Sequence, residues 1–240
     1  MADDIDAAAQ SLSSAMVAAL GDNLVSLMLY GSAARGSRVA GRSDANVLLV
    51  VRDASADALR RAAPALAAWL KVAKAPPLIQ TEADWAASAD VFPIEVEDIR
   101  EAHRLLAGRD ALAGLVTTRE NLRLELEREA RGKLIRLRAE YAAAGADGQA
   151  LAELLARALS TFLILFRAGL RLAARPVPAG DEQVVAAAAG VAGFDANAFA
   201  WALGARQRPR APALAPFDPI AAAYLAAVER FVLWVDQAGA

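Results

Sequence analysis

Two short segments in the first fifty residues carry side chains whose types and spacing could do chemistry. Gly31-Ser32-Ala33-Ala34-Arg35-Gly36 follows the apolar run Leu24 to Tyr30, which reads as a mostly buried strand. A glycine where a strand ends lets backbone approach a ligand closely, and Ser32 offers a hydroxyl. A helical turn beginning there aims amide donors at an anion, so the segment suits a phosphate, with Arg35 and Arg38 as added charge. The same small-residue turn also serves tight strand-to-helix packing, and the segment alone leaves both readings open. The second segment, Ser43-Asp44-Ala45-Asn46, opens the run Val47-Leu48-Leu49-Val50-Val51. Asp44 and Asn46 are two apart at a strand's start, so they share a face and lie about 6 to 7 Å apart along it. Oxygen donors so spaced can hold Mg²⁺ against a triphosphate.

The surrounding elements must bring these segments together. Ile5, Leu12, Met16 and Leu20 recur on one helical face, and Gly21 stops that helix. The strand Ala45 to Val51 carries the unbroken apolar run Val47 to Val51, which predicts an interior strand covered on both faces. Asp53 to Val72 reads as a helix with Leu59, Leu66, Trp69 and Leu70 inward and Arg60 and Arg61 outward. Pro76-Pro77 ends it, Leu78 to Thr81 is a third strand, and Glu82 to Ser88 a short helix. Phe92 to Ile99, entered through Pro93, alternates as a fourth strand. On that strand Glu95 and Glu97 share a face, as a metal edge or general base or as solvated charges on a sheet edge. His103, the single histidine, reads as a helical surface residue in preference to a proton shuttle. Strands separated by helices imply an α/β unit, a small mixed sheet with flanking helices.

Beyond Leu115 no strand signal survives, and the expected boundary divides the chain into 1–117 and 118–240. Glu120 to Tyr141 places Leu122, Leu126, Leu134, Leu137 and Tyr141 on one stripe of a long amphipathic helix. Its arginines and glutamates read as i,i+4 pairs on a solvated surface, or as a few phosphate contacts. Leu151 to Phe166 repeats at i, i+3, i+4 as a buried helix, and Asp181 to Ala189 and Ala196 to Leu203 are weaker, alanine-rich helices. Arg206 to Pro216 reads as a connector with solvated arginines. Asp218-Pro219 is an N-cap with proline in the first turn of a last helix. The second half is an all-α helical bundle of four or five helices.

The apolar share is 57%, but much of it is alanine, which favours helix at little gain in hydrophobicity. The longest membrane candidate, Ala158 to Phe166, is bounded by Arg157 and Arg167 and falls short of the roughly 20 residues a span needs. A formal charge of -2, from 26 basic and 28 acidic side chains, argues against an electrostatically driven nucleic-acid binder. With no cysteine, disulfides and thiolate metal sites are excluded. The acidic start Met1-Ala2-Asp3-Asp4 is not that of a signal peptide, and the expectation is a cytoplasmic protein without a membrane partner.

Leu29-Tyr30-Gly31-Ser32-Ala33-Ala34-Arg35-Gly36 and Ser43-Asp44-Ala45-Asn46-Val47-Leu48-Leu49 together resemble the nucleotidyltransferase superfamily related to DNA polymerase β. Its signature is Gly-Ser, a short turn, then Ser-Asp-x-Asp before an apolar strand. The α/β order extends the resemblance over roughly the first 115 residues. A helical second domain is similar to that of aminoglycoside nucleotidyltransferases and of minimal nucleotidyltransferases with their helical partners. The resemblance implies an NTP substrate with Mg²⁺, and transfer of a nucleotidyl group to a hydroxyl or phosphate acceptor of unspecified identity. It implies that Gly31 and Ser32 hold phosphates, with Arg35 and Ser43 beside them, and that Asp44 and Asn46 ligate metal. Asn46 stands where the pattern has a second aspartate, and an amide is a neutral, weaker donor. The third acid, expected on the next strand, falls at Gln80 or Thr81, leaving Glu82, Glu95 or Glu97 as substitutes. Three function classes follow: an active nucleotidyltransferase, a pseudo-enzyme that binds a nucleotide without turnover, and an interaction module whose helical half forms a homodimer or pairs with another chain.

Overall fold

The protein is described by a computed structural model covering residues 2–36 and 45–238. It divides into two compact units, Met1–Thr117 and Thr118–Ala240.

The first unit is built on a four-stranded mixed sheet: β1 (Leu24–Tyr30), β2 (Asn46–Val51), β3 (Leu78–Thr81) and β4 (His103–Gly108). The strand order is β3-β2-β1-β4, with β1 antiparallel to β2 and β4, and β2 parallel to β3. β1 and β2 are the interior strands, which is why their apolar residues run on instead of alternating, with Ser26 the one polar residue buried within β1. On one face Leu27, Leu29, Val47, Leu49 and Val51 pack against Ile5, Leu12 and Met16 of helix α1 (Ala2–Leu20) and Trp69 of helix α2 (Ala56–Ala73). The other face carries Val25, Met28, Leu48 and Val50. It is covered by Trp85 of helix α3 (Glu82–Ala87) and by Val96 and Ile99 of helix α4 (Pro93–Glu101). Ser55, not Asp53, begins α2, its hydroxyl accepting from the Ala58 amide at 3.4 Å. Leu59 and Leu70 of α2 are exposed at 37% and 40%, against expectation, because Ala62 and Trp69 already fill the buried stripe.

The expected strand at 92–99 is helix α4. Pro93 occupies the first turn, where its missing N–H costs nothing, and Glu95 suits the positive helix start. The fourth strand comes later, at His103–Gly108, so His103 opens a strand instead of lying on a helix. As a half-exposed edge strand, β4 has no strong apolar pattern to reveal it. Gly108 closes it at φ +78, where a Cβ would lie 2.2 Å from the Val25 carbonyl oxygen, so only glycine fits the approach to β1.

The second unit is a helical bundle: α5 (Arg119–Ala144), α6 (Gly148–Leu172), α7 (Asp181–Ala192), α8 (Asn197–Arg206) and α9 (Pro219–Gln237). Asp218 caps α9, its carboxylate accepting from the Ile220 amide at 2.9 Å, with Pro219 in the first turn. Along α5 the expected pairs form, Arg123–Glu127, Glu127–Arg131, Glu129–Lys133 and Arg136–Glu140. Helix α6 is 25 residues, long and apolar enough to cross a membrane, unlike the stretch between Arg157 and Arg167 taken alone. Half of its most apolar window is buried inside this bundle. Phe162 and Phe166 of α6 meet Phe199, Tyr224 and Phe231 in an aromatic core with ring centroids 4.2 to 6.3 Å apart. Arg206 is not a solvated linker residue. It ends α8 with only 14% of its side chain exposed and holds Asp181 at 2.5 Å.

Candidate functional site

The antiparallel register sets one row of residues at an end of the sheet: Asn46 of β2 pairs with Tyr30 of β1, and Tyr30 pairs with His103 of β4. Directly paired residues share a face, so these three side chains lie on the α3/α4 side. Gly31 and Ser32 continue from this row as a short 3₁₀ turn. Gly31 sits at φ +74, which favours glycine, and a Cβ on it would lie 3.3 Å from the Asn46 Nδ2 atom. The Gly-Ser turn and Asn46 are thus brought against each other by strand pairing. Ser43 and Asp44 lie outside the described residues.

The turn is pinned from two sides. The Gly31 amide donates to the Ala102 carbonyl at 3.1 Å, and the Arg35 amide to the Gly31 carbonyl at 3.0 Å. The Arg35 guanidinium, expected at a phosphate, instead meets Asp98 of α4 at 2.5 Å and Glu101 at 3.5 Å. The Arg35 and Asp98 side chains are only 9% and 11% exposed, so this ion pair works at reduced solvent screening.

Glu95 and Glu97 do not share a face. On a helix two residues apart point to opposite sides, and Glu97 bonds Arg100 and Thr117. Glu95 and Asp98, one turn apart, lie toward Tyr30. Burial, then the charges of Asp98 and Glu95, push the Tyr30 phenol up to about 12. Tyr30 therefore stays a neutral donor at ordinary pH. Glu95 approaches the row through helical i,i+3 geometry rather than strand alternation.

The parallel register of β2 and β3 overturns the expected place of a third acid. Leu48 pairs with Leu78 and Val50 with Gln80, so Gln80 and Thr81 lie at the far end of the strand, about 13 Å along from the level of Asn46. Glu82 lies beyond them and pairs with Arg109. The residues preceding β3 at the Asn46 end are Pro76 and Pro77. Among the described residues no group of three His, Cys, Asp or Glu is placed to hold a metal ion. The Asn46 oxygen is a hard donor of the kind Mg²⁺ accepts, and among the described residues no set of three carboxylates accompanies it.

No family model matches the chain, and no curated protein matches it. A solved structure does: the spectinomycin adenyltransferase AAD(9) from Enterococcus faecialis, with ATP and spectinomycin. The likeness covers 95% of this chain and 98% of that one, at 10% identity and a TM-score of 0.53. The fold is that of a nucleotidyltransferase. The placing of Tyr30, Asp98 and His103 around Asn46 and the Gly31 turn was not evident in the sequence. The spacing Glu95, Asp98, Glu101 after Pro93 was the signal for a helix face, and His103, weighed as a proton shuttle, was expected on a helix and not in this row.

Proposed function

We propose that this protein binds a nucleoside triphosphate with Mg²⁺ and transfers its nucleotidyl group to a hydroxyl acceptor, with the Gly31-Ser32 turn receiving phosphates. The observation that carries the proposal is the packing of Asn46 against Gly31 at the strand ends, which joins the two motifs into one place. Asp44 and Asn46 would hold the metal ion, whose chemistry is to offset triphosphate charge. Gly31 gives the turn its close backbone approach, and the Arg35–Asp98 pair fixes the turn on α4 rather than contacting phosphate. Transfer of label from α-³²P-ATP to spectinomycin and other polyhydroxyl acceptors, with Mg²⁺ or Mn²⁺, tests this reading. Loss of that transfer in Asp44→Ala is the expected result, and no Asp44-dependent product with any acceptor refutes it.

A second reading, nucleotide binding without turnover, is favoured by Asn46 together with the β2/β3 register. Asn46→Asp separates the two. The added carboxylate should tighten Mg²⁺-dependent nucleotide affinity on the order of tenfold in either case. For an enzyme the rate of label transfer rises as well; for a binding module calorimetry changes and no product forms.

A further inference from the structure

We infer that His103 is the general base of this site, taking the proton of the acceptor hydroxyl as it attacks the α-phosphorus. This rests on the nucleotidyltransferase reading above. The register puts His103 on the same face and in the same row as Tyr30 and Asn46, beside the Gly31 turn, whose amide is bonded to the residue preceding His103. The ring is held by its Nδ1 atom, 2.9 Å from the Ile99 carbonyl oxygen. A carbonyl can only accept, so Nδ1 carries the hydrogen, which leaves Nε2 as the nitrogen that can take a proton from a substrate. Ile99 lies in the last turn of α4, so this contact fixes the ring against that helix end and aims Nε2 away from it.

The surrounding groups favour the same assignment. Tyr30 from β1 is held as a neutral phenol and does not compete as a base. Asn46 from β2 does not titrate. From α4, Asp98 is paired with Arg35, and Glu95 acts on Tyr30 from the helix start. Arg104, next on β4, is paired with Asp6 at 2.5 Å. β3 supplies no carboxylate at the Asn46 end. In the step itself the acceptor oxygen forms a bond to the α-phosphorus, and the bond from that phosphorus to the bridging oxygen of the β-phosphate breaks. Pyrophosphate leaves with the electron pair, and the hydroxyl proton passes to Nε2.

Because His103 is the only histidine, its imidazole nitrogens give single, assignable signals in ¹⁵N-labelled full-length protein. Calorimetry with α,β-methylene-ATP and Mg²⁺ is run beside the spectra, and turnover is read as release of pyrophosphate from ATP with water as acceptor. The expected results are an Nδ1-protonated tautomer, an Nε2 signal that shifts when the analogue binds, and a hundredfold or greater fall in kcat for His103→Gln. KM in that variant stays unchanged, and the rise of rate with pH disappears. His103→Asn, which keeps an N–H at the Nδ1 position for the Ile99 carbonyl, is run beside it, and a melt compares both folds with the parent. Analogue binding with an unmoved Nε2 signal, or an unchanged kcat in His103→Gln, overturns the role of His103 and leaves the nucleotide reading standing. No binding of the analogue overturns both.

Discussion

Replacing Asp98 with alanine is expected to cost the first unit about 3 to 5 kcal/mol, the largest loss from any single side chain at its site. The reason is asymmetry. Arg35 and Asp98 meet at 2.5 Å with side chains 9% and 11% exposed, so removing the carboxylate strands a guanidinium with little water to solvate it. Glu101, at 3.5 Å from the Arg35 Nε atom, offsets only part of that. Urea unfolding of the full chain, followed through Trp69 and Trp85 in this unit, measures the loss. Arg35→Met combined with Asp98→Leu should recover most of it, because no charge is then left buried. A control is Asp57, whose pair with Arg60 is 75% exposed on both sides and whose replacement should change nothing measurable. If Asp98→Ala is as mild as Asp57→Ala, the turn is held by backbone bonds alone. Nucleotide affinity is expected to fall in Asp98→Ala as well, since Arg35 ties the Gly31-Ser32 turn to α4.

The elements legible in the sequence were those whose own residues decide them. The apolar face of α1, the continuous strands β1 and β2 and the Asp218-Pro219 start of α9 each carry their signal locally. α4 and β4 were misread for a common reason. Phe92, Ile94 and Val96 alternate like a strand, but Ile94, Asp98 and the adjacent Val96 and Ile99 are buried on a short helix started by Pro93. β4, at the sheet edge, buries too little to impose a pattern. At the site, the Gly31-Ser32 and Asp44-Ala45-Asn46 motifs were readable because each is contiguous. The row Asn46–Tyr30–His103 was not, since it is made by register between three strands distant in sequence. Likewise the direction of β3, parallel to β2, decides that Gln80 lies far from Asn46, and no local spacing encodes that direction. Arg35 shows the same limit: its charge suggested a phosphate, while its partner sixty-three positions away is an aspartate.

In the helical unit, Asp181→Ala is expected to cost a comparable amount, about 3 kcal/mol or more. Asp181 opens α7 and accepts from Arg167 of α6 at 2.8 Å and from Arg206 of α8 at 2.5 Å, so one carboxylate joins three helices. Arg167 is only 4% exposed on its side chain, deep enough that losing this partner is not made good by water. Burial pushes the Asp181 carboxyl up, but the hydrogen bonds and charges of Arg167 and Arg206 outweigh it and hold it below the usual aspartate value. A folded-state value below the unfolded one, about 3.9, stabilises the fold fully above that pH. That contribution is lost as pH falls through the lower folded value. Acid unfolding of the wild type, followed by Trp201 and Trp234, should therefore include a steep loss below about pH 4 to which Asp181 contributes. Asp181→Asn, which cannot ionise, is expected to be less stable at neutral pH and to show a shallower acid limb. An acid limb of unchanged steepness would mean that the three helices are held by the aromatic core of Phe162, Phe166 and Phe199, with the ion cluster contributing only orientation.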